Sequence, residues 1–403
     1  MTSKTSDARA LLSAAAVRSC ADEAFEMAAD GKLDDWTLNL DALPACADFV
    51  AAVVRKRYPT LDVPFHARWR HFVFGGRDLW AGIARDAHWR DDDAQARAAF
   101  DLAITSVLLD AGAGAAWRFK DPSSELIADR SEGLALASLR LFEWGGFSAD
   151  PADPLRADAE GLTRMNEAAL ADAFQVQASN PLQGLDGRAR LLNRLGQTVD
   201  ARPHLFALQD QPRPGGLFDV LKAHAVSGAL PAPVILELLL EAFGPIWENR
   251  PVLDGVALGD CWPHPQLGYA PLHKLSQWLA YSLIEPLEAA GIRVADIDGL
   301  TGLAEYRNGG LFVDTGVLQL RDARERAVNV SDPAIVAWRS LTVALLDRIA
   351  PLVRARLGVS AAEFPLARVL EGGTWAAGRE IARRKRPNGG APPLLIHSDG
   401  TVF

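Results

Sequence analysis

Apolar residues recur at helical spacing along most of the chain. In DALPACADFVAAVVRKRY, the residues Leu43, Ala47, Val50 and Val54 fall on one face of a helix, and Asp41 is placed to cap its start. The segment PAPVILELLLEAFGPIW is apolar around almost its whole axis, which predicts a buried helix. SDPAIVAWRSLTVALLDRIAPLVRARLG opens with capping residues and a proline, which predicts another helix. The fold class predicted from these patterns is mainly α.

Two breaks in the helical pattern predict a small β element beside a large helical domain. RNGGLFVDTGVLQL places Asn-Gly-Gly before alternating apolar residues, which predicts a hairpin near residues 308–320. The tail LLIHSDGTVF predicts a second short strand pair, joined around Asp399 and Gly400, that includes a C-terminal strand. In the last long helix, Pro351 is expected to kink the helix or restart it.

The length and composition are those of an ordinary globular protein. We expect the 403 residues to form a single compact domain spanning 1–403, with subdomain breaks to be sought in the Pro- and Asp-rich stretches 148–160 and 200–216. The net charge of −9 argues against nucleic acid as a partner, although it leaves room for one phosphate in a local basic pocket.

The sequence also predicts a location. Three cysteines are too few for a disulfide framework and suit a reducing cytoplasm. The N-terminus lacks the features of a signal peptide, and no run of about 18 apolar residues predicts a membrane span. We therefore expect a cytoplasmic protein with neither a membrane nor a nucleic acid as its partner.

The stretch PFHARWRHF (64–72) concentrates cations among aromatic residues. As a helix it would align Phe65, Trp69 and Phe72 on one face, toward the core, and Gly75-Gly76 would end it. A partly buried guanidinium needs an anion, which is either an internal carboxylate or a ligand phosphate. The basic residues of this stretch are His66, Arg68, Arg70 and His71.

Residues 247–318 carry the densest set of polar side chains on an apolar background. In PLHKLSQWLAYSLIEPL, the polar residues either face solvent or line a pocket together with Trp278; they are Lys274, Gln277, Tyr281 and Glu285. In GLAEYRNGG, a carboxylate, a phenol and a guanidinium precede two glycines that allow a tight turn. These three side chains, Glu305, Tyr306 and Arg307, suit a polyol or phosphate ligand, or else a surface ion pair. Asp314 follows on the predicted hairpin.

A metal or a cofactor is not predicted. Cys261, His264 and His273 follow Asp260 closely, but this spacing matches no well-attested zinc motif, and nothing marks a base for Cys261 as a nucleophile. Walker A, dinucleotide-binding and G-x-S-x-G motifs are absent from the sequence.

Two glycine-containing segments have structural interpretations. LLDAGAGAAWRF (108–119) is interpreted as close helix packing, because it lacks the lysine of a phosphate loop. Glu371 and Trp375 flank Gly372-Gly373, which predicts a tight bend there.

Several segments together resemble a family of bacterial and fungal proteins linked to a uracil catabolic route that passes through UMP. These segments are PFHARWRHF, LLDAGAGAAWRF, SEGLALASLRLFEWGGFS, LGDCWPHP, HKLSQWLAYSLIEP, LTGLAEYRNGGLFVD and the terminal SDGTVF, so the resemblance runs over nearly the whole chain. A more distant similarity connects Glu305-Tyr306-Arg307 to the Asp-Tyr-Arg motif of queuosine-nucleotide salvage glycosidases. That similarity implies a helical core related to DNA glycosylases; Glu305 stands where those enzymes have an aspartate that is one methylene shorter.

The resemblance implies an activity. In that route the ring of UMP is opened, and the remaining ureido group must leave the ribose phosphate. We therefore expect an N-ribosyl hydrolase with a phosphorylated riboside as its small-molecule partner and no cofactor. Glu305 is the first choice for the catalytic carboxylate, with Asp314 or Asp260 second.

The substrate is expected in a pocket where Glu305 and the cations of PFHARWRHF converge. The residues assigned to substrate binding are His66, Arg68, Trp69, Arg70, His71, Lys274, Gln277, Trp278, Tyr281, Tyr306 and Arg307. Two alternatives stay open: an amidohydrolase acting on the ureido group, and a non-catalytic ligand-binding or scaffold protein of the same pathway.

Overall fold

Helices make up most of the chain, as the apolar spacing predicts, so the mainly α fold class is confirmed. The computed structural model describes residues 8–114, 116–207, 211–322, 328–386, 390–394 and 396–397. The helices are α1 (Ala14–Ala29), α2 (Leu43–Arg57), α3 (Leu79–Asp86), α4 (Asp92–Leu108), α5 (Arg130–Glu143), α6 (Ala159–Arg164), α7 (Glu167–Ala173), α8 (Leu185–Asp200), α9 (Pro203–Phe206), α10 (Leu217–His224), α11 (Ala232–Phe243), α12 (Lys274–Ala289), α13 (Tyr306–Asp314), α14 (Pro333–Leu357), α15 (Leu366–Arg368) and α16 (Trp375–Lys385).

The strands are short and pair two by two. They are β1 (Trp36–Leu38), β2 (Val73–Phe74), β3 (Arg77–Asp78), β4 (Phe119–Lys120), β5 (Ile127–Ala128), β6 (Ala229–Pro231), β7 (Val252–Leu253), β8 (Val256–Ala257), β9 (Cys261–His264), β10 (Gly268–Pro271), β11 (Arg293–Ala295), β12 (Leu318–Leu320), β13 (Val328–Asn329) and β14 (Ile396–His397). The pairs are β1–β12, β2–β3, β4–β5, β7–β8 and β9–β10, which are antiparallel, and β6–β11 and β13–β14, which are parallel. None of the helices in the described part of the chain is long and apolar enough to cross a membrane.

The chain forms two compact units, each assembled from separate stretches of sequence. The first unit contains the described residues within Met1–His66, Arg250–Gln277 and Asp296–His397. The second contains the described residues within Ala67–Asn249 and Trp278–Ala295. The stretches 148–160 and 200–216 both lie inside the second unit.

The first unit is organised around α14. Asp332 caps this helix by accepting a hydrogen bond from the backbone N–H of Ala334, and Gly358 ends it with a positive φ of 75°. The helix is continuous through Pro351, so the predicted restart is wrong. Helices α1, α2 and α13 pack on α14, and Trp338 of α14 stacks on Trp36 of β1 with ring centroids 6.0 Å apart.

The second unit is organised around α4, which is buried on nearly all sides from Ala96 to Leu108. Helices α5, α8 and α10 pack against it. Its two buried charged residues have ionic partners in this unit, because a charge removed from water must be paired. Asp101 accepts hydrogen bonds from Arg213, and Arg97 donates to Asp219.

The hairpin predicted near 308–320 is wrong. Residues Tyr306–Asp314 form α13, and Leu318–Leu320 pairs with Trp36–Leu38 instead of folding back on its own neighbour. The glycines that suggested a turn serve close packing, since a Cβ on Gly309 would lie 2.8 Å from atoms of Trp338 and Thr342. The C-terminal strand does form, as β14, whereas the turn expected around Asp399 and Gly400 lies outside the described residues.

PFHARWRHF is not an α-helix. Its backbone is extended at Ala67, and Arg68–Phe72 forms a 3₁₀-helix. Gly75 and Gly76 adopt positive φ values of 58° and 76° in the turn between β2 and β3. Tertiary hydrogen bonds outweigh the helical spacing: the backbone N–H of Arg68 donates to Ser282 Oγ at 2.9 Å.

Three smaller expectations also change. Asp41 lies in a 3₁₀-turn (Leu40–Ala42), and no side chain caps α2. The glycines after Leu109 lie in a loop that follows α4 and not in packed helices. Gly372 and Gly373 belong to a π-helix, Val369–Thr374, that runs directly into α16, so no tight bend forms there.

Candidate active site

Glu305 sits at the N-terminus of α13 with its carboxylate turned back onto the helix. Oε2 accepts a hydrogen bond from the backbone N–H of Arg307 at 2.7 Å, and Oε1 accepts one from Asn308 at 2.6 Å. The residue is 7% exposed. The backbone N–H groups at a helix N-terminus need acceptors, and they favour negative charge. The carboxylate is therefore fixed in one orientation by the first turn of α13.

Arg307 is buried beside Glu305 and has several contacts. Its Nη1 donates to the carbonyl of Gly390 at 2.6 Å, and its guanidinium lies 4.7 Å from the centroid of the Tyr306 ring. Its carbonyl lies so close to Gly378 of α16 that a Cβ there would be 2.2 Å away. Gly378 thus allows the backbones of α13 and α16 to touch at this point.

Helices α13 and α16 run in the same direction. Arg307, near the start of α13, touches Gly378 of α16. Asp314, at the end of α13, binds Arg386, which follows the end of α16, with two hydrogen bonds of 2.9 and 2.5 Å. The step from Arg307 to Asp314 along α13 and the step from Gly378 to Arg386 along α16 each correspond to about two helical turns. The N-terminal ends of the two helices therefore lie side by side, with Glu305 at one and Trp375 at the other.

A second carboxylate lies at this same end of the helix pair. Glu371, in the π-helix that precedes α16, is 5% exposed, and its Oε2 lies 2.7 Å from Nδ1 of His66. The hydroxyl of Tyr58 lies 3.5 Å from Glu371 Oε1, and the Trp375 ring is 5.5 Å from the ring of His66. Single π-helical turns occur often at functional sites. We call Glu305, Tyr306, Arg307, His66, Glu371 and Trp375 the helix-pair cluster.

Asp260 belongs to the first unit as well, but its oxygens are saturated. They accept hydrogen bonds from both Nη atoms of Arg339 at 2.8 and 2.7 Å, from Trp262 Nε1 at 2.8 Å and from the backbone N–H of Lys274 at 3.0 Å. Burial acts to raise the pKa of Asp260, but Arg339 outweighs it and holds that pKa well below its usual range. This geometry gives Asp260 a structural role.

The neighbours of Asp260 are also engaged inside the first unit. Nδ1 of His264 accepts hydrogen bonds from the backbone N–H groups of Gln266 and Leu267, at 3.1 and 3.2 Å, and Nε2 of His273 lies 2.9 Å from the carbonyl of Leu11. Burial raises the pKa of the Cys261 thiol far above its usual value. In the described part of the chain, no three His, Cys, Asp or Glu residues are grouped to hold a metal ion.

Lys274 and Gln277 stand at the first turn of α12 in the first unit. The backbone N–H of Lys274 binds Asp260, and Gln277, which is fully buried, accepts a hydrogen bond from the backbone N–H of Thr301 at 3.3 Å. Gln277 therefore anchors the loop that leads to Glu305.

Arg68 is the most deeply buried cation of the second unit. It is 0% exposed, and it forms an ion pair with Asp110 at 3.2 Å. It donates to Ser106 Oγ at 2.7 Å, its Nη1 lies 3.2 Å from His71 Nδ1, and its guanidinium lies 5.4 Å from the Trp278 ring. Burial lowers the pKa of the Arg68 guanidinium, and Asp110 opposes that shift. Its anion is thus an internal carboxylate, which was one of the two partners that the sequence left open.

Sequence reasoning missed the residues that surround Arg68. Asp110 pairs with it, the carbonyl of Ser131 lies 3.5 Å from its Nη1, and Ser131 Oγ donates to Asp110 at 3.1 Å. Glu132 adds a further negative charge nearby. Asp110 lies in LLDAGAGAAWRF, and Ser131 and Glu132 lie in SEGLALASLRLFEW. Both segments belong to the family resemblance, but no local spacing indicates that these residues lie beside Arg68.

Arg70 pairs with Glu285, and both line a cavity in the second unit. Nη2 of Arg70 lies 2.6 and 2.5 Å from the two oxygens of Glu285. Trp69 lines the same cavity, and its Nε1 donates to the carbonyl of Ser282 at 2.6 Å. Tyr281, one residue before Ser282, is fully buried. Each guanidinium of PFHARWRHF therefore already has a carboxylate partner within its own unit.

The structure brings the predicted site residues together in groups. Glu305, Tyr306 and Arg307 lie at the start of α13, and His66 contacts Glu371 in the π-helix that packs against α13. In the second unit, His71 and the Trp278 ring lie beside Arg68. The expected convergence of Glu305 with the cations of PFHARWRHF stays a prediction. Asp314 is held by Arg386 at the far end of α13, away from Glu305.

Comparisons with known proteins give a consistent result. The chain matches the family described as "Protein of unknown function (DUF1688)" over residues 10–403. It is 36% identical to "Uracil catabolism protein 4" of Lachancea kluyveri, across 93% of each chain. It is 37% identical to "Protein urg3" of Schizosaccharomyces pombe, across 98% of each chain.

Proposed function

The chain belongs to the DUF1688 family, and we propose that it serves uracil catabolism as a hydrolase that cleaves the N-glycosidic bond of a ring-opened uridine phosphate. The products would be ribose 5-phosphate and a urea derivative. The pathway rests on the name of the relative from Lachancea kluyveri. The reaction rests on the helix-pair cluster, and the single observation that carries it is the buried, oriented carboxylate of Glu305.

Glu305 would stabilise the transition state. Cleavage of an N-riboside builds positive charge on the sugar, and a fixed carboxylate in a water-poor site stabilises that charge strongly. Because two backbone N–H groups hold Glu305, its position need not reorganise during the reaction. The helix N-terminus thus supplies orientation, and the carboxylate supplies the charge.

The His66–Glu371 pair would handle the proton. A carboxylate that binds one ring nitrogen of a histidine fixes the tautomer and orientation of the imidazole. The distance of 2.7 Å between Glu371 Oε2 and His66 Nδ1 meets that requirement. In this proposal the pair activates the attacking water, while Trp375 and Tyr306 provide flat walls for the sugar.

The phosphate would be bound by cations of the first unit. Arg307 lies next to Glu305, and Arg379, which follows Gly378 on α16, has its guanidinium 4.7 Å from the Trp375 ring. We assign the phosphate to these two cations because Arg307 follows Glu305 in the chain and Arg379 lies against Trp375, both in the helix-pair cluster.

The test is direct. Purified protein incubated with ribosylurea 5-phosphate should release ribose 5-phosphate and urea, quantified by NMR or mass spectrometry. Glu305→Gln should lower kcat/KM by about 100-fold or more, as expected for loss of a transition-state charge. Asp332→Asn is the matched control: it changes the same chemical group at the cap of α14 in the same unit, and it should keep activity within about threefold.

Other outcomes would overturn the proposal. A folded protein that leaves ribosylurea phosphate and related nucleotides unchanged is not this hydrolase. Release of ammonia without ribose phosphate would identify an amidohydrolase acting on the ureido group. If Glu305→Gln left flux through the pathway intact while surface substitutions abolished it, the protein would be a non-catalytic partner.

A further inference from the structure

A cavity in the second unit is lined by residues that have no role in the proposed hydrolase reaction. Its volume is about 250 Å³. Trp69 and Trp80 line it, with their ring centroids 5.5 Å apart, and Trp80 continues to Trp89 at 5.6 Å. The cavity thus has an aromatic wall and a size that suits a small molecule or one end of a larger one.

The charged residues around this cavity are mostly acidic. Glu285, Asp78 and Asp92 line it together with a single cation, Arg70. Because Arg70 is already paired with Glu285, the two remaining carboxylates give the cavity a net negative charge. A phosphate would be repelled from such a site.

Glu285 is a largely desolvated carboxylate beside this cavity. Burial raises the pKa of Glu285, Arg70 opposes that shift, and the nearby carboxylates of Glu288 and Asp78 add to it. Burial is the largest cause of this shift, and the charge of the cavity is therefore judged from the residues that line it.

We propose that this cavity, the tryptophan–carboxylate cavity, binds a small organic cation such as a guanidinium or an alkylammonium group. A cation gains from the face of an indole ring and from carboxylates at the same time. Trp69 and Trp80 offer the rings, and Asp78, which also caps α3, and Asp92 supply the negative charge. Arg70 and Glu285, which pair with each other, line the cavity beside them. The site does not depend on the helix-pair cluster or on its reaction.

Guanidinium and urea are the probes that test the idea most sharply, because they have nearly the same shape and differ in charge. The full-length protein, labelled with ¹⁵N, is titrated with each up to about 50 mM, and the indole N–H signals are followed by NMR. The Trp80 signal is assigned with Trp80→Phe. We expect a saturable shift with guanidinium in the millimolar range and binding at least tenfold weaker for urea.

Variants separate the two parts of the site. Asp92 is exposed and does not cap α4, so Asp92→Asn should fold normally and weaken guanidinium binding about threefold. Trp80→Leu should weaken it by about two- to fivefold. The matched controls are Asp172→Asn and Trp144→Leu, which make the same changes at exposed positions of the second unit and should leave binding unchanged.

Three results would overturn the proposal. Equal binding of urea and guanidinium would show recognition of a planar shape without regard to charge. A saturable shift with acetate at the same signals would show an anion site. A linear, unsaturable response to guanidinium that Asp92→Asn and Trp80→Leu leave unchanged would show that the cavity binds no cation. None of these results would affect the ribosylurea phosphate assay, so the two proposals fail independently.

Discussion

Replacing Asp260 by asparagine should destabilise the first unit strongly, although the side chain keeps its size. The carboxylate accepts hydrogen bonds from both Nη atoms of Arg339, from Trp262 and from the backbone of Lys274. An amide presents one oxygen and one NH₂ group. At least one of these N–H donors would then face another donor, in a place where water cannot replace the lost acceptor.

The magnitude follows from the burial of the partner. The Arg339 side chain is 1% exposed and that of Asp260 is 11% exposed, so asparagine would leave an uncompensated buried cation. Breaking a buried pair by removing one partner costs about 3–5 kcal/mol. Nε of Arg339 also donates to the carbonyl of Ala304 at 3.1 Å, so the residue just before Glu305 should loosen as well.

Equilibrium unfolding in urea measures this cost, and a double-mutant cycle isolates the pair. Asp260→Asn, Arg339→Met and the double variant are compared with the wild type. We expect the double variant to lose less free energy of unfolding than the two single variants lose together, because it leaves no unpaired charge. A loss below about 1 kcal/mol for Asp260→Asn, or strict additivity, would refute the assignment of Asp260 to a structural ion pair.

The pH dependence supplies an independent check on Asp260. Its pKa in the folded protein is held far below the value of about 3.9 that it has in an unfolded chain. The ion pair therefore stabilises the fold fully above about pH 4, and the stabilisation is lost progressively as the pH falls below that value. The Asp260→Asn protein should lose less stability than the wild type between about pH 4 and pH 2.

Three further predictions concern packing and burial. Gly378→Ala should cost about 1–3 kcal/mol in urea unfolding and lower the proposed activity, because its Cβ would press on the carbonyl of Arg307; an unchanged midpoint would contradict the close contact. Asp101→Asn should cost about 3–5 kcal/mol in the same assay by leaving Arg213 buried without its carboxylate, and a loss under about 1 kcal/mol would contradict this. Burial raises the pKa of the Cys46 thiol to about 11, and all three thiols are buried, so alkylation at pH 8 should be slow in the folded protein and fast in urea; rapid labelling of the native protein would show that they are accessible.

Part of the candidate site could be predicted from the sequence. The segment Glu305-Tyr306-Arg307 stood out because three chemically useful side chains precede two glycines. Its backbone was predicted wrongly: the two glycines indicated a turn, whereas Gly309 lies inside α13 and allows that helix to approach Trp338. A glycine that allows close packing and a glycine that allows a turn look alike in one sequence.

The partners of the cations could not be predicted. Arg68 pairs with Asp110 and Arg70 with Glu285, over separations of 42 and 215 residues. The spacing of residues within a segment carries no information about which distant carboxylate will pair with a given arginine in the folded protein. The same limit applies to His66 and Glu371, which are 305 residues apart and lie 2.7 Å from each other.

The sequence by itself determined the helical character of this protein and the presence of its strongest helices. Apolar periodicity acts within a few residues, and for α2, α11 and α14 it agrees with the tertiary packing. Tertiary structure decided the 3₁₀ form of Arg68–Phe72, the helix at Tyr306–Asp314 and the ion pairs of the buried arginines. These features depend on contacts between segments far apart in the chain, where burial and pairing of charge outweigh local preference.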